Sequence, residues 1–505
     1  MSQSFIVVGA GSSGSVVARR LVDAGAEVTV LEAGGPDTNP AIHDPARQGE
    51  LWHGPDDWDY YTVPQNGANG RRLHLPRGKV LGGSHALNAM IYVRGIPSDY
   101  DRWAAAGCDG WAWDDVLPVF QRIERYDGDT SKTRGGAGLL DVVGGYPVHP
   151  IQQSITTACM EAGVPFNPDY NDGCIEGVSR EQVTMRDGRR LNTYLAYLRP
   201  VSESTRVVTA ARVHRLLVRD GRVREVEWDE HGRLERSHAD GVVLCAGTID
   251  TPRILMRSGI GPADALEALG IDVHVNLPGV GRNLHDHLLS PVVFGCAREV
   301  SAVPSGQSHT QTHLFARSRD ELDAPDTQPI FFSVPMREPW MDGPDSGFTL
   351  MAGMVRPQSR GSLSIAGPDV DDPVLIDLAA LQEEPDVAAL EASVQQCRMI
   401  GAQPALADGW GARECYPGPD ADDPSWLRDY VRRTVITYHH QVGTCAMGVG
   451  EYAVVSPRLA VHGLEGAWVA DASVMPRITT GNTNAPAIMI GERAAEFITA
   501  AGAAG

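Results

Sequence analysis

The stretch from Phe5 to Glu32 constrains this chain more than any other. Phe5-Ile6-Val7-Val8 is apolar and β-branched, with the length of a strand buried on both faces. Gly9-Ala10-Gly11-Ser12-Ser13-Gly14 follows, a G-x-G-x-x-G in the turn between that strand and a helix. Val16, Val17 and Leu21 recur at helical spacing and Gly25 ends the helix. A second strand, Glu27-Val28-Thr29-Val30-Leu31, finishes on Glu32. Gly9 permits the tight turn, Gly11 lets a pyrophosphate approach the backbone, and Gly14 lets helix and strand pack closely. Ser12 and Ser13 stand where the helix N-terminus offers free N–H groups and a positive dipole end to phosphates. Glu32, 18 residues beyond Gly14 and followed by Ala33, is placed to accept hydrogen bonds from ribose hydroxyls. Alone the motif describes any Gly-rich turn; with strand, helix and terminal acid it describes a dinucleotide site. FAD and NAD both remain open.

At 505 residues the chain can bury a large core in two or three domains. Lys plus Arg number 43 against 64 Asp plus Glu, a net charge of −21 that opposes nucleic acid and anionic membranes as partners. The eight Cys are scattered with no C-x-x-C, which favours buried thiols in a reducing compartment. No apolar run approaches the ~18 residues of a membrane span. The N-terminus has no basic region, and its apolar run is already the nucleotide strand, so the expected setting is cytoplasmic.

Further motifs narrow the choice. Arg77-Gly78-Lys79-Val80-Leu81-Gly82-Gly83-Ser84-His85-Ala86-Leu87-Asn88-Ala89-Met90, beside the N-terminal unit, resembles the first signature of the glucose–methanol–choline (GMC) oxidoreductases, which are FAD enzymes. The resemblance puts Gly78, Leu81, Gly82, Gly83, Ser84, Asn88, Ala89 and Met90 at the cofactor. The chain departs from the family at His85, where a second Ser or Thr is usual. Members that link FAD covalently use a His two positions on, where this chain has Leu87, so noncovalent FAD is expected and His85 reads as a loop residue near the cofactor. Val213, on the segment Thr205 to Leu216, is implied to hold the adenine through its backbone. The strand Gly241-Val242-Val243-Leu244-Cys245 leads into Ala246-Gly247-Thr248, which resembles the second signature. Val280 to His287 matches a further stretch beside the cofactor; its H-x-H has no Cys or Glu partner, and no metal is expected. The Gly-, Thr- and Ser-rich residues 128–138 read as a surface loop.

Between 288 and 425 the texture changes to short alternating segments, Thr310 to Phe315 and Ile330 to Val334, that read as antiparallel strands. The family roofs its flavin with such a sheet. Phe331 and Phe332 point to opposite faces, so at most one lines the substrate pocket. Tyr438-His439-His440-Gln441-Val442-Gly443-Thr444 resembles the family's catalytic-histidine segment, with Gln441 in place of the usual Pro; by register the base is His440. His439, a pocket candidate with the two Phe, is expected to turn away from His440, because neighbours alternate on an extended segment. Asp471, Ala472, Asn482, Thr483 and Asn484 form the closing segment, in which Asn482 matches the second catalytic position. Asn484 begins a helix whose dipole would face the flavin. For both Asn the plain alternative is a polar cap at a helix start.

The expected fold is α/β: an FAD-binding Rossmann-type domain (residues 1–155, 200–287 and 435–505) interleaved with an α+β substrate domain on an antiparallel sheet (156–199 and 288–434). The implied reaction oxidises a primary alcohol, on a small aromatic or heteroaromatic ring, to the aldehyde. His440 takes the hydroxyl proton, Asn482 holds the oxygen, hydride goes to flavin N5, and O2 or another acceptor reoxidises the cofactor. The same motifs serve choline-type dehydrogenases, and the fold also hosts flavin-dependent lyases.

Overall fold

The computed structural model describes residues 3–129, 131–230 and 232–503. Ser4–Val8 is the centre of a five-stranded parallel sheet in the order Arg206–Val208, Glu27–Leu31, Ser4–Val8, Gly241–Leu244, Ala467–Val469. Val8 pairs with Leu31 on one side and Leu244 on the other, so the apolar run is central and covered on both faces. Val16, Val17 and Leu21 of the Gly14–Asp23 helix are buried, and Gly25 follows its end with a left-handed φ of 84°. Gly14 cannot carry a side chain: a Cβ there would lie 2.0 Å from the Gly9 carbonyl oxygen. The crevice outside the carboxyl ends of these strands is where such a sheet binds its ligand.

The second sheet has seven strands and is antiparallel, running Arg413–Tyr416, Leu288–Gly295, Gly347–Met354, Ile330–Phe332, Thr310–Phe315, Gly177–Arg180, with Ile436–Thr437 added beside Leu288–Gly295. Helices Pro150–Glu161 and Glu384–Gly401 cover it. Val387, Leu390, Val394 and Cys397 form the buried face of the latter. A separate compact apolar group includes Ile91, Leu289, Ile330, Met351 and Tyr438. The hairpin at Asp220-Gly221 turns on two left-handed residues, φ 52° and 72°, the pattern of a type I′ turn.

Of the 128–138 loop, Thr130 lies outside the described residues, and the rest is not wholly superficial. Arg134 is buried, bonded through Nε to Glu124 (2.9 Å) and stacked over the Tyr126 ring. The guanidinium recruits a partner that a surface loop would not need. No helix among the described residues is long and apolar enough to cross a membrane, and all eight cysteines are free thiols.

Candidate active site

A cavity of ≈ 610 Å³ runs between the two sheets. One end is glycine and backbone. Gly9, Gly11, Ser12, Ser13, Glu32 and Ala33 come from the first β-turn-α-β unit, Val213, Ala246 and Gly247 from the strands beside it. Gly78, Gly83, Ser84, Asn88 and Ala89 form the opposite wall, and Asp471, Ala472, Thr483 and Asn484 close it. The two glycine turns meet face to face: a Cβ on Gly83 would stand 2.8 Å from the Gly11 Cα. Glu32 accepts from the Ala10 and Gly34 amides, both at 2.8 Å, and burial lifts its pKa to about 7. Ser12 Oγ donates to Asn484 Oδ1 (2.6 Å), while Asn484 Nδ2 is buried with no partner. A narrow glycine-floored slot with helix N-termini and an unsatisfied amide donor fits a dinucleotide diphosphate and the ring beyond it.

Five residues expected at the cavity stand elsewhere. Gly14 is consumed by helix–strand packing, as above. Leu81 belongs to the core. Gly82 makes the turn, at φ 100°, and faces the Asn192 side chain. Met90, at φ 63°, packs with Val183 and Met185. Phe331 is wholly buried in the core, whereas Phe332, on the opposite face of the same strand, lines the cavity. His85 is buried outside the cavity: Nε2 meets Thr184 Oγ1 at 2.9 Å and Nδ1 accepts from the Thr193 amide at 3.3 Å. Leu87, by contrast, is in the wall.

At the other end His440 and Asn482 come together, Nε2 to Nδ2 at 3.1 Å. Gln328 Nε2 donates to Asn482 Oδ1 (2.9 Å), which fixes the amide with its NH2 toward the imidazole. His440 therefore presents a lone pair at Nε2 and carries its proton on Nδ1, assigned from this network. That proton faces His287 Nδ1 at 3.0 Å. Asp286 accepts from the His440 amide (2.8 Å) and from Gln441 Nε2, so the amide that replaces the family's Pro has a partner. The Tyr438 ring lies parallel to His440, 4.6 Å between centroids. Burial, then His287, His439 and Arg77, push the His440 pKa well below the ordinary imidazole value. His440 is thus a neutral acceptor at neutral pH.

His439 corrects the expectation of an extended segment. Its φ is 65°, so strict alternation does not apply, and it lines the cavity too. The ring is nevertheless directed apart from His440: Nδ1 meets Thr437 Oγ1 at 2.7 Å and Trp52 packs on it edge-on at 5.2 Å. His287, Asp286 and Gln328 could not be assigned these partners from sequence, since they lie more than 150 residues from the groups they touch. The only trace was the match of Val280 to His287 to a cofactor-proximal stretch.

Two family models match the chain, both described as GMC oxidoreductase, over residues 3–289 and 357–491. The chain belongs to the GMC oxidoreductase family. An oxygen-dependent choline dehydrogenase of Brucella ovis is 34% identical over 99% of this chain and 96% of its own length. An alcohol dehydrogenase [acceptor] of Pseudomonas putida is 35% identical over 98% and 95%. The crystal structure of pyridoxine 4-oxidase from Mesorbium loti superposes with a TM-score of 0.93 at 35% identity, covering 98% of this chain and 99% of that one. GMC oxidoreductases are FAD-binding flavoproteins that act as alcohol oxidases or dehydrogenases on CH–OH donors, and this chain is such an oxidoreductase.

Proposed function

We propose that the protein oxidises an uncharged primary alcohol on a small aromatic or heteroaromatic ring to the aldehyde, with His440 as base and Asn482 as the donor that holds the oxygen. The observation that carries this is the 3.1 Å His440 Nε2–Asn482 Nδ2 contact at the end of an apolar chamber. A hydroxyl inserted there donates to Nε2 and accepts from Nδ2. As the proton moves to Nε2, electron density on the oxygen rises and releases the α-hydrogen as hydride. His440 Nδ1–H hands part of the new charge to His287, and Asn482 donates to the oxygen while it is most negative. FAD bound in the slot supplies the acceptor for that hydride. Noncovalent attachment is supported by the engagement of both His85 nitrogens and by Leu87 at the wall.

Ring substrates are favoured by the apolar side chains around the pair, Ile91, Leu289, Ile330, Phe332, Met351 and Tyr438; Arg77 also lines this end. A choline-type substrate needs a carboxylate or an aromatic cage for its cation. Aromatics are present in Trp52, Phe332 and Tyr438, so choline is the second reading. The antiparallel sheet is assigned to the alcohol and the parallel sheet to the cofactor. Their boundary falls nearer residue 149 than 155, since the Pro150–Glu161 helix packs against the Thr310–Phe315 strand. O2 or another acceptor takes the electrons, and the free cysteines support a cytoplasmic setting. Anaerobic addition of benzyl alcohol or choline in the dark tests the reading. Benzyl alcohol should bleach the flavin; bleaching by choline alone would transfer the function to the second reading, and bleaching by neither would refute both.

A further inference from the structure

Arg77 stands at the reactive end of the cavity. It lines the wall, and its Nη2 donates to the carbonyl of His439, next to the catalytic pair. Nε donates to the Pro76 carbonyl at 2.6 Å. These are neutral acceptors. Among the described residues no carboxylate lies within 4.0 Å of the guanidinium. The two acids that feel it are committed elsewhere. Asp57 accepts from the Arg77, Asp59 and His53 amides, and Asp286 from His440 and Gln441. The remaining titratable neighbours, His439 and His440, are held neutral by burial. A partly buried guanidinium that lines a ligand cavity, with Nη1 unpartnered and no carboxylate in contact, is placed to balance negative charge that arrives there.

We infer that Arg77 compensates the negative charge left on the flavin after alcohol oxidation. The balance requires one. The alcohol loses two electrons and two protons; one proton leaves with both electrons as hydride, and the other leaves through His440 to solvent. The flavin gains two electrons and one proton, a net charge of minus one. The inference rests on the proposed function only for the origin of that charge, and the cation should act whichever reductant supplies the electrons.

The test is a spectroelectrochemical titration of the FAD-loaded protein against reference dyes between about pH 8 and 9.5, above the ordinary imidazole range and the pKa of about 7 of Asp286. The wild type should fall by about 30 mV per pH unit, one proton per two electrons at ~30 mV per tenfold. Arg77→Met should lower the reduction equilibrium at least tenfold, about 30 mV, and steepen the slope toward two protons. Arg77→Lys, which keeps the charge, should stay near wild type. A wild-type slope of about 60 mV per pH unit overturns the inference, and so does an unchanged potential in Arg77→Met. If Arg77→Met spares benzyl alcohol but raises KM for 4-(hydroxymethyl)benzoate at constant potential, the charge serves an anionic substrate and the inference falls. Should Arg77→Met not hold FAD, the wild-type slope and Arg77→Lys decide. Failure of the functional reading looks different: no alcohol reduces the wild type, while electrochemical reduction still reports the slope.

Discussion

His440 is neutral because of what surrounds it, and that has a pH consequence. Its pKa is depressed by burial and by three cationic or potentially cationic neighbours, His287, His439 and Arg77. The base form therefore persists below pH 6.5, where a free imidazole would be half protonated. kcat/KM should stay flat on the acid side until well below that value; an acid limb centred at 6.5 would mean the base is exposed or is another group. Asn482→Ala removes one hydrogen bond to a developing oxyanion, about 1.5–3 kcal/mol, and should slow flavin reduction roughly tenfold to a hundredfold by single-turnover measurement. Which residues form the pair was legible in the sequence, since each sits inside a contiguous pattern. Their supports were not: Gln328 and His287 reach the pair only through folding, and nothing near them in sequence marks what they touch.

At the scale of elements, one strand separates stability from specificity. Phe331 is wholly buried in the core and Phe332 lines the cavity, as period-two alternation requires. Phe331→Ala should cost about 3–5 kcal/mol of stability in denaturant unfolding with little change in substrate preference. Phe332→Ala should leave stability closer to wild type and shift KM among ring-bearing alcohols; the reverse pattern would invert the strand's register. The first β-turn-α-β unit was readable almost residue by residue because its tasks are local. Glu32, expected to face a ribose, ties the Ala10 and Gly34 amides of two turns. Glu32→Ala should therefore reduce FAD occupancy, measured by absorbance after gel filtration, with the bound fraction still reducible. The second signature loop was less legible. Left-handed Gly82 and Met90 turn away from the slot, and a sequence motif does not separate residues that touch the ligand from those that shape the turn.

Across the whole molecule, buried titratable groups set the pH range of the fold. Seven imidazoles (85, 149, 285, 287, 313, 439 and 440) are held below their ordinary value by burial. In the unfolded chain they bind protons below about pH 6.5, so their contribution is present above that value and lost as pH falls. Glu32 and Asp286, raised to about 7, Glu181, raised to about 8, and Asp99, Glu338 and Asp471, raised by burial as well, have the opposite sign. That contribution is full below the ordinary carboxyl pKa of about 4 and is lost progressively as pH rises through the folded values, about 7 to 8 for the three highest. The two sets oppose each other and are nearly equal in number, so apoprotein stability should stay close to flat from pH 5 to 6.5 and decline above it as the highest carboxyls ionise. Urea midpoints across that range would check it, a monotonic rise to pH 8 being the contrary result. The two-sheet architecture was legible from the change of texture at residue 288. The helix that covers the second sheet from Pro150 was not, because helix periodicity does not say which sheet it packs on.

The central claim is that His440 removes the hydroxyl proton as hydride leaves, and stopped-flow reduction of the FAD-loaded protein by benzyl alcohol, anaerobically and in the dark, tests it most directly. His440→Ala with FAD fully bound should reduce ~10²–10⁴-fold more slowly, and its residual rate should climb with hydroxide. His439→Ala should stay within a few-fold of wild type, because that ring is directed to Thr437 and Trp52. Reduction of His440→Ala at the wild-type rate, or an equal loss in His439→Ala, would contradict the account.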